Sequence, residues 1–215
     1  MEYISQIHTF KYTSMTDYLY HDGISIPIIR IGRGSSKFFS NLIRSYIKNH
    51  NVVNVIARGM KINLLIWVIF QISDEFNVND MQIFLDLNQL SLSLFVYSNS
   101  IASPTPIENF EEDTSHSYIK VGKNSDEDTM HRLINKSVET YIIAAGSSCI
   151  SACQLLYYAY SIGFRSSDFK VIKTYDANGN EKAGIKVYIF RNFLVNDNPN
   201  EMYSLSGEKI QEESV

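Results

Sequence analysis

Short β-branched apolar runs alternate along this chain with longer stretches of helical period. Ile26 to Ile31 reads as a strand from its β-branched content. Ser35 and Ser36 then offer hydroxyl caps to a helix running to about Asn49, with Phe39, Leu42, Ile43, Tyr46 and Ile47 on one face. Val52 to Ala57 is apolar with little interruption, which predicts a strand buried on both faces. Met60 to Phe76 predicts a second helix, and "IFLDL" with "LSLSLFV" predicts a hairpin around Asn88-Gln89.

The same order then recurs. Gly32 matches Gly122, and Ile56-Ala57-Arg58-Gly59 matches Ile143-Ala144-Ala145-Gly146, with three residues fewer between these anchors in the second copy. The second copy predicts a strand at Tyr118 to Val121 and a shorter helix near Glu127 to Lys136. A strand at Thr140 to Ala144, a helix at Cys149 to Gly163, and a hairpin from Phe169 to Tyr175 and Gly184 to Phe190 follow. Its hairpin loop, "DANGNEKAG", is longer than the first and carries the strong turn signal Asn178-Gly179. The predicted organisation is an extension at 1–25, a β-α-β-α-β-β unit at 26–99, a linker rich in Ser, Pro and acid at 100–116, a second such unit at 117–193 and an acidic tail at 194–215. This is an α/β chain of the two-layer α+β kind.

The helix "INLLIWVIFQI" is apolar nearly all round, so its own four-stranded sheet cannot cover it. A second surface must do so. Two copies in one chain supply that surface by packing as a pseudo-dimer, and a homodimer is the alternative.

Charge sharpens this division. The 215 residues carry a formal net charge of -4, which argues against a wholly basic nucleic-acid binder. By segment the charge runs -2 over 1–25, +3 over 26–99, -4 over 100–116, +3 over 117–193 and -4 over 194–215. Two mildly basic blocks are therefore set between acidic connectors.

The stretch "IIRIGRGSSKFF" has a strand, a basic glycine loop and a helix start, a layout that presents backbone N–H groups and positive charge to an anion. It lacks the third glycine of a dinucleotide fingerprint and the Gly-Lys-Ser/Thr of a P-loop. Together with "VNVIARGMKINLLIWV" it resembles the Alba superfamily of small nucleic-acid-binding proteins, which pairs a basic glycine loop after the first strand with an Ala-Arg-Gly turn opening the second helix. The likeness covers residues 26 to 97 and, more weakly, 117 to 191. It implies the β-α-β-α-β-β fold of the C-terminal domain of translation initiation factor 3, and binding of duplex RNA or DNA, as in archaeal chromatin and the RNase P/MRP proteins. By the same likeness Arg33, Gly34 and Lys37 of the loop, and Arg58, Gly59 and Lys61 of the turn, are the expected backbone contacts. Lys123 follows the matching glycine of the second copy, where Ala145 replaces the Arg and Asp126, Glu127 and Asp128 open the helix. Those acids suit the helix dipole. In the family the last hairpin is an arm that reaches a groove. Here the second hairpin has the length for it, with Lys173 and Lys182 as candidates.

Other chemistries find little support. The five histidines form no His-x-x-x-His spacing, no serine lies in a nucleophile elbow, and no glycine-punctuated calcium loop surrounds the acids at 126 to 128. Cys149 and Cys153, one turn apart on an apolar helix, read as core, and their number excludes a disulfide framework and a four-ligand zinc site. No catalysis, metal or cofactor is expected. "MEYISQIHTF" lacks a basic start before an apolar stretch, and Asn135-Lys136-Ser137 is read as a chance glycosylation match, so an intracellular, nuclear or cytoplasmic place is expected. Tyr141 to Phe164 is uncharged, but Gly146-Ser147-Ser148 breaks it, and it reads as strand plus buried helix rather than a membrane span. The expected partners are RNA or DNA, and other protein subunits if these folds have lost nucleic-acid contact.

Overall fold

In the computed structural model, which describes residues 16–21, 24–110, 115–176 and 178–191, the first unit begins with β1 (Thr16–His21) paired antiparallel to β2 (Ile24–Ile31). Helix α1 (Ser36–Ile47) carries the chain to β3 (Val52–Arg58), which lies parallel to β2. Ser35 caps α1, its hydroxyl accepting the Phe38 N–H at 3.2 Å. Helix α2 (Lys61–Phe70) leads to the hairpin β4 (Asn77–Asp86) and β5 (Gln89–Tyr97), giving the sheet order β1-β2-β3-β5-β4. The hairpin turn is Leu87-Asn88, both with positive φ, one residue earlier than the sequence suggests.

A short β6 (Glu108–Asn109) opens the second unit, followed by β7 (Tyr118–Val121), α3 (Glu127–Lys136), β8 (Glu139–Ala145), α4 (Cys149–Ser161), β9 (Phe164–Tyr175) and β10 (Glu181–Arg191). Its sheet order is β6-β9-β10-β8-β7, with β7 parallel to β8 and β10 antiparallel to both β8 and β9. Setting aside the edge strands β1 and β6, the two units share element order and strand order. Gly59 and Gly146 hold equivalent turns, both left-handed with φ of 48° and 58°.

The mixed α/β architecture, with two five-stranded sheets and four α-helices among the described residues, is built around one apolar cluster that draws on both units. Helix α2 touches α4, β9 and β10 of the second unit, and α4 in turn touches β4 and β5 of the first. The exchange is reciprocal. Ile62, Leu65, Ile66, Val68 and Ile69 are all buried, so the second surface that α2 requires comes from this chain. A smaller cluster of Ile26, Ile28, Ile56, Phe84 and Phe95 lies on the face of the first sheet turned away from the helices.

Three expectations need correction. Helix α2 ends at Phe70 rather than Phe76, because the chain unwinds into turns in which the Ser73 hydroxyl donates to the Ile69 carbonyl at 2.8 Å. The extension at 1–25 contributes β1 and the start of β2 to the sheet. Within the span expected as a linker at 100–116, the Thr105 hydroxyl accepts the Val78 N–H, and β6 pairs with β9, so this described part is tied to both sheets. The tail expected at 194–215 lies outside the described residues.

Candidate nucleic-acid interface

Neighbouring parallel strands send their following loops out at one end of a sheet. Ile31 of β2 pairs with Ala57 of β3, so the loop 32–35 and the turn at Gly59 emerge together. In the loop, Arg33 is exposed, and Gly34 has φ 154°. A Cβ there would sit 2.9 Å from the Phe39 ring, so only glycine lets the loop lie against that buried ring. Lys37 is exposed on the first turn of α1, and Lys61 is exposed at the start of α2. The Gly59 N–H donates to the Leu90 carbonyl at 2.8 Å, which ties this turn to the first hairpin close to its tip.

Arg33, Lys37 and Lys61 therefore share one end of the first unit, and no ion pair holds any of them among the described residues. The hairpin returns to the same end, since Arg58 pairs with Ser91 and Asp86 with Gln89. Leu85 and the 68% exposed Leu87 stand at its tip, Met60 after the Gly59 turn is 77% exposed, and Phe38 is exposed on α1. These apolar tips gave no signal in the sequence, because a single Leu between Asp86 and Asn88 is ordinary at a turn.

Arg58 is placed differently from its neighbours. Its guanidinium is paired with the carboxylate of Asp86, which is buried. The arginine is thus an internal counter-ion rather than a free surface cation.

In the second unit the acids at the helix start serve the fold. Asp126 caps α3, accepting the Thr129 hydroxyl at 2.6 Å and the Thr129 N–H at 2.9 Å, and these bonds hold its carboxyl below the usual range. Glu127 stands 3.8 Å from His131. Lys123 is exposed in the preceding loop. Lys182 lies 3.8 Å from Asp176, and its side chain covers the Gly146 turn. Lys173 is 3.0 Å from Glu181, whose hydrogen bond raises the ammonium, and it stands over the Phe70 ring of α2 at 6.0 Å. The two hairpin lysines are therefore engaged within the fold, and they do not join the cations of the first unit.

Among the described residues no helix is long and apolar enough to cross a membrane, and no three His, Cys, Asp or Glu side chains group to hold a metal ion. Comparison of the chain with protein-family models, with curated proteins and with solved structures gives no match.

Proposed function

We propose that this chain binds nucleic acid through its phosphate backbone, using the strand-end surface of the first unit, and that it is a tandem pair of Alba-like units packed as an intrachain pseudo-dimer. The observation that carries this reading is the convergence of Arg33, Lys37 and Lys61 at one end of one sheet without ion-pair partners among the described residues, while Arg44, Arg58, Lys170, Lys173 and Lys182 are held in pairs. Several cations on one surface are what counterion release requires. The repeated strand order and the reciprocal packing of α2 and α4 support the pairing of the units.

A titration of short RNA and DNA duplexes at increasing salt tests this. Three phosphate contacts give a slope of log K against log salt of about -3, and Arg33→Ala with Lys37→Ala brings it to about -1. Absence of duplex binding at low salt sinks the reading. It would favour instead an assembly subunit, for which the exposed Met60, Leu85 and Leu87 beside a neutralised Arg58 form the contact surface.

A further inference from the structure

Two apolar side chains at the strand end of the first unit occupy positions where local structure favours small polar residues. Met60 and Leu87 are the two most exposed large apolar side chains among the described residues, and Leu85 and Phe38 are exposed at the same end. Met60 stands at the N-cap of α2, where Ser, Thr, Asp or Asn would accept a helix N–H, and it makes no side-chain cap bond. Leu87 has φ 49° in the hairpin turn, a conformation that Gly, Asn or Asp adopts at less cost than Leu. Neither position asks for an apolar residue.

The second unit shows what the repeated turns require. Matched through Gly59 and Gly146, Met60 and Lys61 correspond to Ser147 and Ser148; matched through Gly32 and Gly122, Phe38 corresponds to Asp128. The second hairpin carries Asn178, Gly179 and Asn180 in its loop where the first turns on Leu87 and Asn88. The apolar tips therefore belong to one unit. Backbone links hold them at one end: an added Cβ on Gly34 of the basic loop would be 3.4 Å from the Phe38 ring, and Leu90, which accepts the N–H of the residue before Met60, pairs with Leu85. Arg33, Lys37 and Lys61 are exposed at this end, and no ion pair holds them among the described residues. The only carboxylate in residues 32–38, 58–62 and 85–90 is Asp86, buried in its pair with Arg58. Apolar groups and uncompensated positive charge are thus presented together.

We propose that this end also docks on a bilayer surface of anionic phospholipid, with Phe38, Met60 and Leu87 entering the headgroup layer and Arg33, Lys37 and Lys61 on the lipid phosphates. Membrane surfaces are held by these two terms together, buried apolar area and the attraction of cations to anionic lipid. Interfacial segments sit about 5–10 Å deep, which side chains on loop tips reach without any spanning helix. Duplex binding through the phosphate backbone uses the cations and leaves the tips idle, because the base faces are stacked inside the helix. A folded protein partner would have to set carboxylates opposite three separate cations around an apolar pocket. A bilayer offers phosphates over an apolar layer at every point, with no register to match. The cations are common to the duplex and the membrane, whereas the tips serve the membrane alone, so the tips separate the two.

The test is co-sedimentation of the full chain with vesicles of phosphatidylcholine alone and of phosphatidylcholine mixed with phosphatidylserine, run beside a titration of a short RNA duplex. The chain is expected to bind the mixed vesicles at low salt and not the neutral ones. Met60→Ser with Leu87→Asn gives both positions the residue type that local structure prefers, so this variant is expected to melt no lower than the parent. It is expected to weaken vesicle binding about tenfold or more and to leave the duplex titration unchanged. Phe38→Ser, on the exposed surface of α1, is a separate variant expected to weaken vesicle binding in the same direction. Arg33→Ala with Lys37→Ala is expected to weaken it about twentyfold through two lost cations. Vesicle binding without any duplex binding would sink the nucleic-acid reading and leave membrane docking standing. Absence of binding to the mixed vesicles at low salt, or equal binding by the parent and by Met60→Ser with Leu87→Asn, overturns the proposal. So does a loss of duplex affinity in that variant, which assigns the tips to nucleic acid, or a parent dimer that the variant dissolves, which assigns them to a contact between copies.

Discussion

Arg58, at the end of β3, is paired with Asp86, at the end of β4, and the carboxylate of that pair is buried while the guanidinium is partly exposed. The two partners therefore have different consequences when removed. Arg58→Ala leaves a buried carboxylate without its counter-ion, which costs about 3–5 kcal/mol in such pairs. Asp86→Asn keeps the volume and frees a cation at the edge where Arg33 and Lys61 emerge. We expect a large fall in urea midpoint for Arg58→Ala and a smaller one for Asp86→Asn. Duplex affinity is expected to rise in Asp86→Asn, with the salt slope steepening by about 0.9 for one added phosphate contact. Unchanged affinity and slope would show that Arg58 does not reach the ligand when released.

The thiols of Cys149 and Cys153 face the shared core from α4, and both are fully buried. Burial pushes Cys149 up to about 12 and Cys153 higher still, with the neighbouring Cys149 adding to the second shift. The reactive species is the thiolate, so neither group is a nucleophile at neutral pH. A thiol-specific disulfide reagent is expected to find no reactive thiol in the native chain and two after denaturation. Rapid modification of the native chain would mean that α4 opens readily.

Much of the architecture was legible because apolar period and glycine position are local properties. The run Val52 to Ala57 predicts a strand buried on both faces, and Val53, Val55, Ile56 and Ala57 are buried there. The match of Gly59 with Gly146 anticipates two left-handed turns at equivalent places. What was illegible depends on contacts distant in sequence. Ile72 and Phe76 continue the helical spacing past Phe70, but packing unwinds that stretch, and Ile72 is buried all the same. Two-residue β6 is too short to carry any period of its own. Sequence names cations without their partners, so Arg58, Lys173 and Lys182 look like Arg33 until Asp86, Glu181 and Asp176 are set beside them.

The packing of α2 against the second unit predicts that the units do not unfold separately. Phe70 stacks on Trp67 with centroids 5.2 Å apart and lies under Lys173 of β9. Phe70→Ala removes apolar contacts on both sides of the junction, at a cost of about 3–5 kcal/mol typical of such truncations. The parent is expected to melt in one transition, with tertiary and secondary signals coinciding, and Phe70→Ala to lower that single transition. Light scattering is expected to give a monomer near 24.6 kDa. Two resolved transitions, or an obligate dimer, would show that the reciprocal contact of α2 and α4 is not the one that buries these helices.

The equivalent turns at Gly59 and Gly146 permit a comparison within one molecule. A Cβ at Gly59 would find its nearest neighbour, Gln89 Oε1, at 3.8 Å, and one at Gly146 would find Lys182 Cδ at 3.6 Å. Space is thus available at both, and the penalty for alanine is the left-handed backbone alone, about 1–2 kcal/mol. Asparagine tolerates that conformation better, so Gly59→Asn and Gly146→Asn should each recover part of the loss. Gly32 has no atom within 4 Å of an added Cβ and no positive φ, so Gly32→Ala is expected to stay within about 0.5 kcal/mol of the parent. Denaturant midpoints of the five variants check this. Equal losses at Gly59 and Gly146 would make the turn a property of the repeated unit, independent of whether Arg58 or Ala145 precedes it. A loss at Gly59 alone would instead assign the strain to the Arg58–Asp86 pair that sits beside it.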